Sequence, residues 1–217
     1  STVTININPM PLVNADNSTS ICKGDVVTIN ANSSISTYQW QPGNLNGSSI
    51  TVSPLATTTY TVTVSDNIGC SGTDQVTITV NPIPDAAFNT TAPVCIGGSV
   101  NFTDASSITS GAINAWSWDF ANGQNAQTQN ASSNYSSSGN FNVRLIITSD
   151  GGCKDTITNA ITINANPLAN AGASQDICPG FQATLNGSGG SGYAWSPGGF
   201  TTSSITVSPT STTQYTL

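Results

Sequence analysis

A seven-residue segment occurs twice in this chain, letter for letter. Ser48–Pro54 and Ser203–Pro209 both read Ser-Ser-Ile-Thr-Val-Ser-Pro. Each copy also has an opening cysteine, a tryptophan and a late tyrosine, at Cys22, Trp40 and Tyr60 and at Cys178, Trp195 and Tyr215. Internal repetition of this kind predicts an array of similar folding units.

A divergent copy of the same unit lies between the two. It opens with Cys95-Ile-Gly, continues to Trp118 and ends in the segment Phe141–Ile147. Along that segment apolar residues alternate with Asn142 and Arg144, which is the pattern of a half-buried strand. Apolar residues nowhere recur at helical spacing over a useful length, so we predict no substantial helix.

Three strand-like segments end at an Asn-Pro pair, and these pairs indicate the boundaries of the repeats. We predict a closing strand of a preceding repeat (residues 1–9), a first repeat (10–82), a second repeat (83–167) and an incomplete third repeat (168–217). Six or seven short strands per repeat, separated by turn residues, indicate an all-β fold of tandem antiparallel β-sandwiches. We expect an extended array in which each repeat contacts mainly its neighbours.

The two termini of the chain suggest two explanations. Ser1–Pro9 aligns with Asp74–Pro82, the closing strand of the first repeat, and Leu217 falls in the tyrosine strand of the third. One explanation is a segment of a longer array, out of frame with its domains. The other is donor-strand addition, in which residues 1–9 complete the third repeat of another copy and build a fibre.

Charged residues are scarce, at 6 % of the chain against about 25 % in ordinary globular proteins. Three basic residues and a net charge of -7 argue against nucleic-acid binding, which needs clustered Lys and Arg. No apolar run approaches the roughly 20 residues that span a membrane. Surface polarity therefore comes from uncharged hydroxyl and amide groups, which suits exposure to an extracellular medium.

The cysteines occupy matching places in the first two repeats. Cys22 and Cys95 open these repeats, whereas Cys70 and Cys153 each follow a glycine at a late hairpin. These positions predict the disulfides Cys22–Cys70 and Cys95–Cys153, one per repeat, and an oxidising compartment. Cys178 opens the third repeat and has no hairpin partner within the sequence. Free buried thiols are the alternative, and metal ligation is disfavoured because there is no histidine and no CxxC spacing.

The tryptophans recur at one register, with another aromatic residue two positions earlier. An exposed aromatic pair on one strand face could stack on sugar rings, whereas a buried tryptophan would belong to the sandwich core. Recurrence in every copy favours the core. The predicted core aromatic residues are Trp40, Trp118, Trp195, Tyr60, Phe141 and Tyr215.

No catalytic set is evident in the sequence. Without His or Glu, acid–base chemistry would fall to Asp, Tyr or Lys. Asp119 is the only aspartate beside a predicted core strand, and the acids form no repeated close pair. We predict no cofactor and no enzyme activity; a structural calcium site built from hairpin aspartates stays open.

The second repeat resembles the PKD domain, an immunoglobulin-like β-sandwich. The family's Trp-Asp-Phe-Gly-Asp-Gly segment appears as Trp118-Asp-Phe-Ala-Asn-Gly123, with Ala121 and Asn122 departing from it. A later pattern of the family matches Tyr135, Gly139, Phe141, Val143 and Leu145. This resemblance implies PKD-type sandwiches and brings no catalytic residues.

The outer repeats resemble Ig-like repeats of long Bacteroidetes surface proteins. The resemblance rests on the Cys-x-Gly opening, Trp-x-Pro-Gly, Ser-Pro-x-x-Thr-Thr-x-Tyr-Thr and the Gly-Cys hairpin. Such arrays occur in gliding-motility adhesins and other type IX secretion substrates, which implies an extracellular or cell-surface location. Asp155-Thr-Ile157 resembles the O-glycosylation motif of that phylum, with Thr156 as the acceptor.

Together these features predict a non-catalytic structural or adhesive repeat segment of a surface stalk, fibre or filament. Its expected partners are neighbouring repeats, other copies in a fibre and surface glycans. The alternative is a carbohydrate-binding or accessory region of a secreted enzyme.

Overall fold

The computed structural model describes residues 1–217 and consists of strands and connecting loops. In chain order the strands are β1 Val13–Ala15, β2 Thr19–Cys22, β3 Val27–Ser33, β4 Tyr38–Gln41, β5 Leu45–Asn46, β6 Ser49–Val52, β7 Thr58–Ser65, β8 Ser71–Asn81, β9 Phe88–Thr90, β10 Val94–Cys95, β11 Ser99–Asp104, β12 Ile113–Asp119, β13 Asn125–Ala126, β14 Ala131–Asn134, β15 Gly139–Ser149, β16 Lys154–Asn164, β17 Ala183–Asn186 and β18 Ser204–Val207. The predicted all-β class is confirmed.

The chain divides into two compact units. One comprises residues 1–92, 99–134 and 140–161, and the other comprises residues 93–98, 135–139 and 162–217. The first unit therefore contains the first repeat and most of the second. The predicted repeat boundaries stay predictions, and the terms first, second and third repeat refer to them below.

The first repeat is built from two sheets. The strand order is β1-β3-β6 in one sheet and β2-β8-β7-β4-β5 in the other. Alternation along β7 turns Tyr60, Val62 and Val64 inward, where they join the buried Ile29 and Trp40. Threonines fill the outward positions of the same strands, and their hydroxyls pair across strands, as between Thr59 and Thr77 at 2.9 Å. Alternation of Val and Thr along the strands thus gives each sheet one buried apolar face and one solvent-exposed polar face.

The second repeat has sheets of order β14-β11-β9 and β10-β16-β15-β12-β13. Its core contains a cluster of aromatic rings from facing strands, with centroid distances between 5.0 and 6.2 Å. The rings belong to Phe88, Phe102, Trp118 and Phe120. The alternation predicted along β15 places Val143, Leu145 and Ile147 in the interior. Edge-to-face and tilted ring pairs of this kind add to the free energy gained by burial.

The third repeat has less regular structure. β17 and β18 form a two-stranded sheet, and single antiparallel bridges join Asn170 to Ser188 and Ser196 to Thr216. A small core of Ala183, Trp195, Ile205 and Val207 lies beneath them. The twice-repeated Ser-Ser-Ile-Thr-Val-Ser-Pro segment forms β6 in the first repeat and β18 in the third, with the same alternation of burial.

The segment at residues 1–9 forms no strand and pairs with no other part of the chain. Val3, Ile5 and Ile7, which alternate as in a strand, are 91 %, 83 % and 91 % exposed. An isolated strand has no ladder partner for its backbone groups, so alternation alone does not produce a sheet. Its assignment as the closing strand of a preceding repeat stays a prediction.

The turn that departs from the PKD pattern has a left-handed backbone. Ala121 has a φ of 58°, and its N–H donates to Asp119 Oδ1 at 3.0 Å. Asn122 replaces the acidic residue and donates its amide to Ser133 Oγ at 2.9 Å and to the Asn134 carbonyl at 3.0 Å. A deprotonated carboxylate could not donate either bond.

Ala121→Gly should stabilise the protein. The left-handed conformation costs an alanine about 1–2 kcal/mol, part of which is offset by the greater flexibility of glycine in the unfolded chain. We expect a net gain of about 0.5–1 kcal/mol in the free energy of unfolding, measured by guanidinium denaturation. Ala126→Gly, in a strand, is the matched control and should destabilise; a loss at both positions would contradict the argument.

Candidate functional site: the disulfide between consecutive repeats

A disulfide bond joins the first repeat to the second. It links Cys22 to Cys153 across a sequence separation of 131 residues, with a Cα–Cα distance of 5.6 Å. Both cysteines belong to the first compact unit. Cys70, Cys95 and Cys178 are free.

Cys22 is presented by the end of a parallel strand pair. β2 runs parallel to β8, the closing strand of the repeat, and Cys22 lies opposite Asn81. The chain then turns: the Lys23 N–H donates to the Asn81 carbonyl at 2.9 Å, and the Asp25 N–H donates to the Cys22 carbonyl at 3.0 Å. Gly24 permits this turn with a φ of 93°, a region that residues with a Cβ rarely adopt.

Cys153 is presented by the hairpin between β15 and β16. The Ser149 N–H donates to the Cys153 carbonyl at 2.8 Å, and the Cys153 N–H donates to Ser149 Oγ at 3.2 Å. The cysteine is 1 % exposed, so the hairpin holds its sulfur in a protected position. The loop at the tip reads Asp-Gly-Gly, so two of its three residues have no side chain.

The hairpin packs closely on the end of the first repeat. Asn81 Nδ2 donates to the Gly151 carbonyl at 3.3 Å. A Cβ on Gly151 would lie 2.7 Å from Asn81 Cγ, closer than two carbon atoms approach. The junction thus consists of a covalent bond, a hydrogen bond and a close approach of the Gly151 backbone to the Asn81 side chain.

The pairing predicted from the sequence is wrong. Cys22–Cys70 and Cys95–Cys153 do not form, and Cys70 and Cys95 are free thiols. Cys70 precedes β8, whereas Cys22 lies beside its last residue. Eleven extended residues span roughly 33 Å, far beyond the reach of a disulfide. Cys95 and Cys153 are separated in the same way by β16, since Cys95 lies opposite Asn164.

The three recurrent tryptophans lie in the interior. Trp40, Trp118 and Trp195 are 0 %, 1 % and 2 % exposed. Each indole N–H donates to a backbone carbonyl 7 to 10 residues further on, at Gly47 (2.9 Å), Thr128 (2.9 Å) and Thr202 (3.0 Å). The rings therefore have no open face for a sugar, and each one ties a loop to the core.

The other aromatic residues of the predicted core differ in burial. Tyr60 is buried, and desolvation raises the pKa of its phenol. Phe141 and Tyr215 are only half-buried. Tyr215 packs against the core of the third repeat, beside an open groove of about 680 Å³ that also adjoins Trp195.

Several aspartates accept hydrogen bonds from backbone N–H groups. Asp74 Oδ2 accepts the Ala15 N–H at 2.7 Å, and Asp155 Oδ2 accepts the Ala86 N–H at 2.8 Å, so closing strands of both repeats use one arrangement. Hydrogen bonds from the Ala15 and Gln75 backbone N–H groups hold the pKa of Asp74 below its usual value. Asp119 forms an exposed ion pair with Arg144 at 3.5 Å, a type that contributes at most about 1 kcal/mol.

Asp104 is a structural residue that sequence reasoning missed. Burial alone would raise its pKa, but hydrogen bonds from the Ser106 hydroxyl and backbone N–H, Gln129 and Trp116 hold the pKa below the usual value. The Trp116 Nε1–H···Oδ2 bond is 2.8 Å long. The available signal was the spacing of two residues from Phe102, which places both side chains on one face of β11.

The remaining predicted sites can be located in the structure. Thr156 is exposed on β16, next to Asp155, whose carboxylate already accepts the Ala86 N–H. No group of three or more Cys or Asp residues could hold a metal ion. The chain contains no helix of the length and apolarity needed to cross a bilayer.

Cys153→Ser should destabilise the protein strongly. In the chain-entropy model, a bond that closes a loop of this length contributes about 5 kcal/mol to the free energy of unfolding. Cys70→Ser, at the equivalent hairpin position, is the matched control and should change the free energy by less than about 0.5 kcal/mol. Guanidinium denaturation of the oxidised proteins measures both, and an equal loss in the two variants would refute the assignment of the bond.

The low pKa of Asp104 predicts a pH-dependent contribution to stability. Because its folded pKa lies below the unfolded value of about 3.9, the contribution is fully present above that value and is lost as the pH falls through the folded pKa. Asp104→Asn should therefore lower the melting temperature at pH 7. The difference in melting temperature between this variant and wild type should become smaller towards pH 2–3. A difference that stays constant with pH would show that the charge of Asp104 is not involved.

Comparisons with known proteins place the second repeat in a family. Residues 81–163 match a family model described as the PKD domain. No curated protein is similar enough in sequence to count as a match.

Solved structures of related domains are also similar to part of the chain. The PKD1 domain of Vibrio anguillarum Epp shares 29 % identity over 40 % of this chain and 99 % of its own, with a TM-score of 0.37. The PKD1 domain of the Vibrio cholerae metalloprotease PrtV shares 32 % identity over 38 % and 98 %, with a TM-score of 0.35. The middle of the chain, residues 81–163, is thus a PKD repeat.

Proposed function

We propose that this chain is a non-catalytic structural segment of an extracellular stalk, fibre or filament. The observation that carries this proposal is the Cys22–Cys153 bond, which joins one repeat to the next. A covalent bond between repeats resists separation and bending at a linker.

The arrangement suits a chain under tension. A pull that enters at β2 can pass directly through the disulfide to the hairpin before β16, without passing through residues 23–152. Those residues include most strands of the first two repeats. The bond therefore limits how far the segment can extend when individual sandwiches unfold.

The burial of Trp40, Trp118 and Trp195 supports a structural function over sugar stacking. The ring faces that would stack on a sugar are filled by core side chains, and the indole N–H groups are already hydrogen-bonded. The scarcity of charge is consistent with a surface whose interactions change little with salt. An adhesive contribution from surface glycans would need residues other than these tryptophans.

We further propose an extracellular location in a Bacteroidetes surface protein of the gliding-motility adhesin kind, exported by type IX secretion. This finer proposal rests on the resemblance of the outer repeats and on the disulfide, which needs an oxidising compartment. Thr156 is exposed, as an O-glycosylation acceptor would have to be. Glycopeptide mass spectrometry of the natively secreted protein tests that site.

Single-molecule stretching of the full chain between terminal handles tests the stalk function. The oxidised protein should extend about 460 Å less than Cys153→Ser, because up to about 3.5 Å per residue stays locked inside the loop. The shortfall should vanish on reduction. Cys70→Ser is the control and should extend like wild type.

Two outcomes would overturn the proposed function. Equal extension of the oxidised protein and Cys153→Ser would show that the bond carries no load. Saturable binding of soluble polysaccharides by the oxidised chain, abolished by Trp195→Ala while the fold is retained, would favour the carbohydrate-binding alternative.

A further inference from the structure

Cys70 and Cys95 occupy the same structural positions as the two bonded cysteines, and Cys178 begins a turn of the same kind. We call Cys22, Cys95 and Cys178 opening cysteines, since each begins a Cys-x-Gly turn. We call Cys70 and Cys153 hairpin cysteines, since each ends a Gly-Cys hairpin. The observed disulfide joins an opening cysteine to the hairpin cysteine of the next repeat.

Cys95 reproduces the surroundings of Cys22. β10 runs parallel to β16 with Cys95 opposite Asn164, as β2 runs parallel to β8 with Cys22 opposite Asn81. The Ile96 N–H donates to the Asn164 carbonyl at 3.0 Å, and the Gly98 N–H donates to the Cys95 carbonyl at 2.9 Å. Both bonds match those after Cys22, and Gly97 has a φ of 83° where Gly24 has 93°.

Cys178 has the same kind of turn. The Phe181 N–H donates to the Cys178 carbonyl at 3.1 Å, and Gly180 has a φ of 78°. Cys95 and Cys178 are both exposed. Cys95 therefore repeats both the strand pairing and the turn of Cys22, whereas Cys178 lies in no strand and repeats only the turn.

Cys70 reproduces the surroundings of Cys153. The Asp66 N–H donates to the Cys70 carbonyl at 3.0 Å, and the Cys70 N–H donates to Asp66 Oδ1 at 2.9 Å. Ser149 makes the equivalent pair of bonds with Cys153. The preceding glycines both have positive φ, 95° at Gly69 and 79° at Gly152.

We propose that the disulfide junction also forms between chains: Cys70 of one copy bonds to the opening cysteine, Cys95 or Cys178, of a second copy. The proposal deepens the proposed stalk function. It rests on that function only because disulfide formation needs an oxidising environment. The built Cys22–Cys153 junction shows which chemistry these positions take, namely one opening thiol and one hairpin thiol. Pairs of two opening or two hairpin cysteines have no counterpart in the structure.

The bond would form by thiol–disulfide exchange with a small disulfide such as glutathione disulfide. One protein thiolate attacks the oxidant and releases one glutathione; the second protein thiolate attacks this mixed disulfide and releases the other. Two protein thiols and one glutathione disulfide thus give one protein disulfide and two glutathione thiols, with both protons passing to solvent or to the leaving thiolates.

One difference between the hairpins predicts how well the junction forms. Ile68 occupies the place of Gly151, where a Cβ would clash with Asn81. Ile68 is 58 % exposed, so its side chain does not pack into the core. It should slow docking onto an opening cysteine that lies beside Asn164, and Ile68→Gly should relieve the clash.

The experiment oxidises the full chain in glutathione buffer and separates the products on non-reducing gels, with disulfide mapping by mass spectrometry. We expect interchain species that contain only Cys70–Cys95 and Cys70–Cys178 bonds. Cys70→Ser should abolish them, whereas Cys95→Ser and Cys178→Ser should each retain them. Ile68→Gly should increase their rate of formation, and thermal unfolding checks that each variant is folded.

Adventitious oxidation predicts a different result. Cys95 and Cys178 are the more exposed thiols, so random pairing would give mainly links among these two and would persist in Cys70→Ser. Three outcomes would overturn the inference: links mainly among Cys95 and Cys178, links between two copies of Cys70, or a wild type that stays monomeric. A monomeric wild type would leave the stretching result for Cys22–Cys153 unaffected, so failure here is distinct from failure of the stalk function.

Discussion

The parallel pairing of an opening strand with a closing strand governs the organisation of the first two repeats. β2 lies beside β8, and β10 lies beside β16, in the same register relative to the following turn. Because the two strands run in one direction, the opening cysteine arrives at the far end of the repeat, away from the hairpin cysteine. That end is where the next repeat begins, so the disulfide extends the array and does not close a single sandwich.

A chain with few charges still needs polar groups that hold its loops. Aspartates supply these groups by accepting hydrogen bonds from backbone N–H groups, as Asp74 and Asp155 do near the start of their repeats. Asp104 accepts the indole N–H of Trp116. The buried tryptophans stabilise loops as donors, since each donates its indole N–H to a loop carbonyl. Most of these contacts are local or within one repeat, which suits a module repeated along a chain.

Alternation and recurrence were informative wherever a residue's environment is decided within one repeat. The Val and Tyr positions of β7, the apolar face of β15 and the repeated tryptophan register all depend on which face of a strand is dry. Residues 1–9 also alternate but have no strand beside them, so their assignment as a closing strand stays a prediction. At Asp104 the alternation signal was weak, because the spacing of two residues from Phe102 does not by itself distinguish a lone acid from a surface aspartate.

The sequence by itself determined that this protein is all-β, repetitive and held together by cysteines, because period two and recurrence are properties of the chain alone. Only the tertiary structure decided which cysteines meet. Matching positions identify equivalent residues in successive repeats, but they carry no information on strand direction. The parallel β2–β8 pair places about eleven extended residues between Cys22 and Cys70, and the packing of Gly151 on Asn81 brings Cys153 to Cys22 instead.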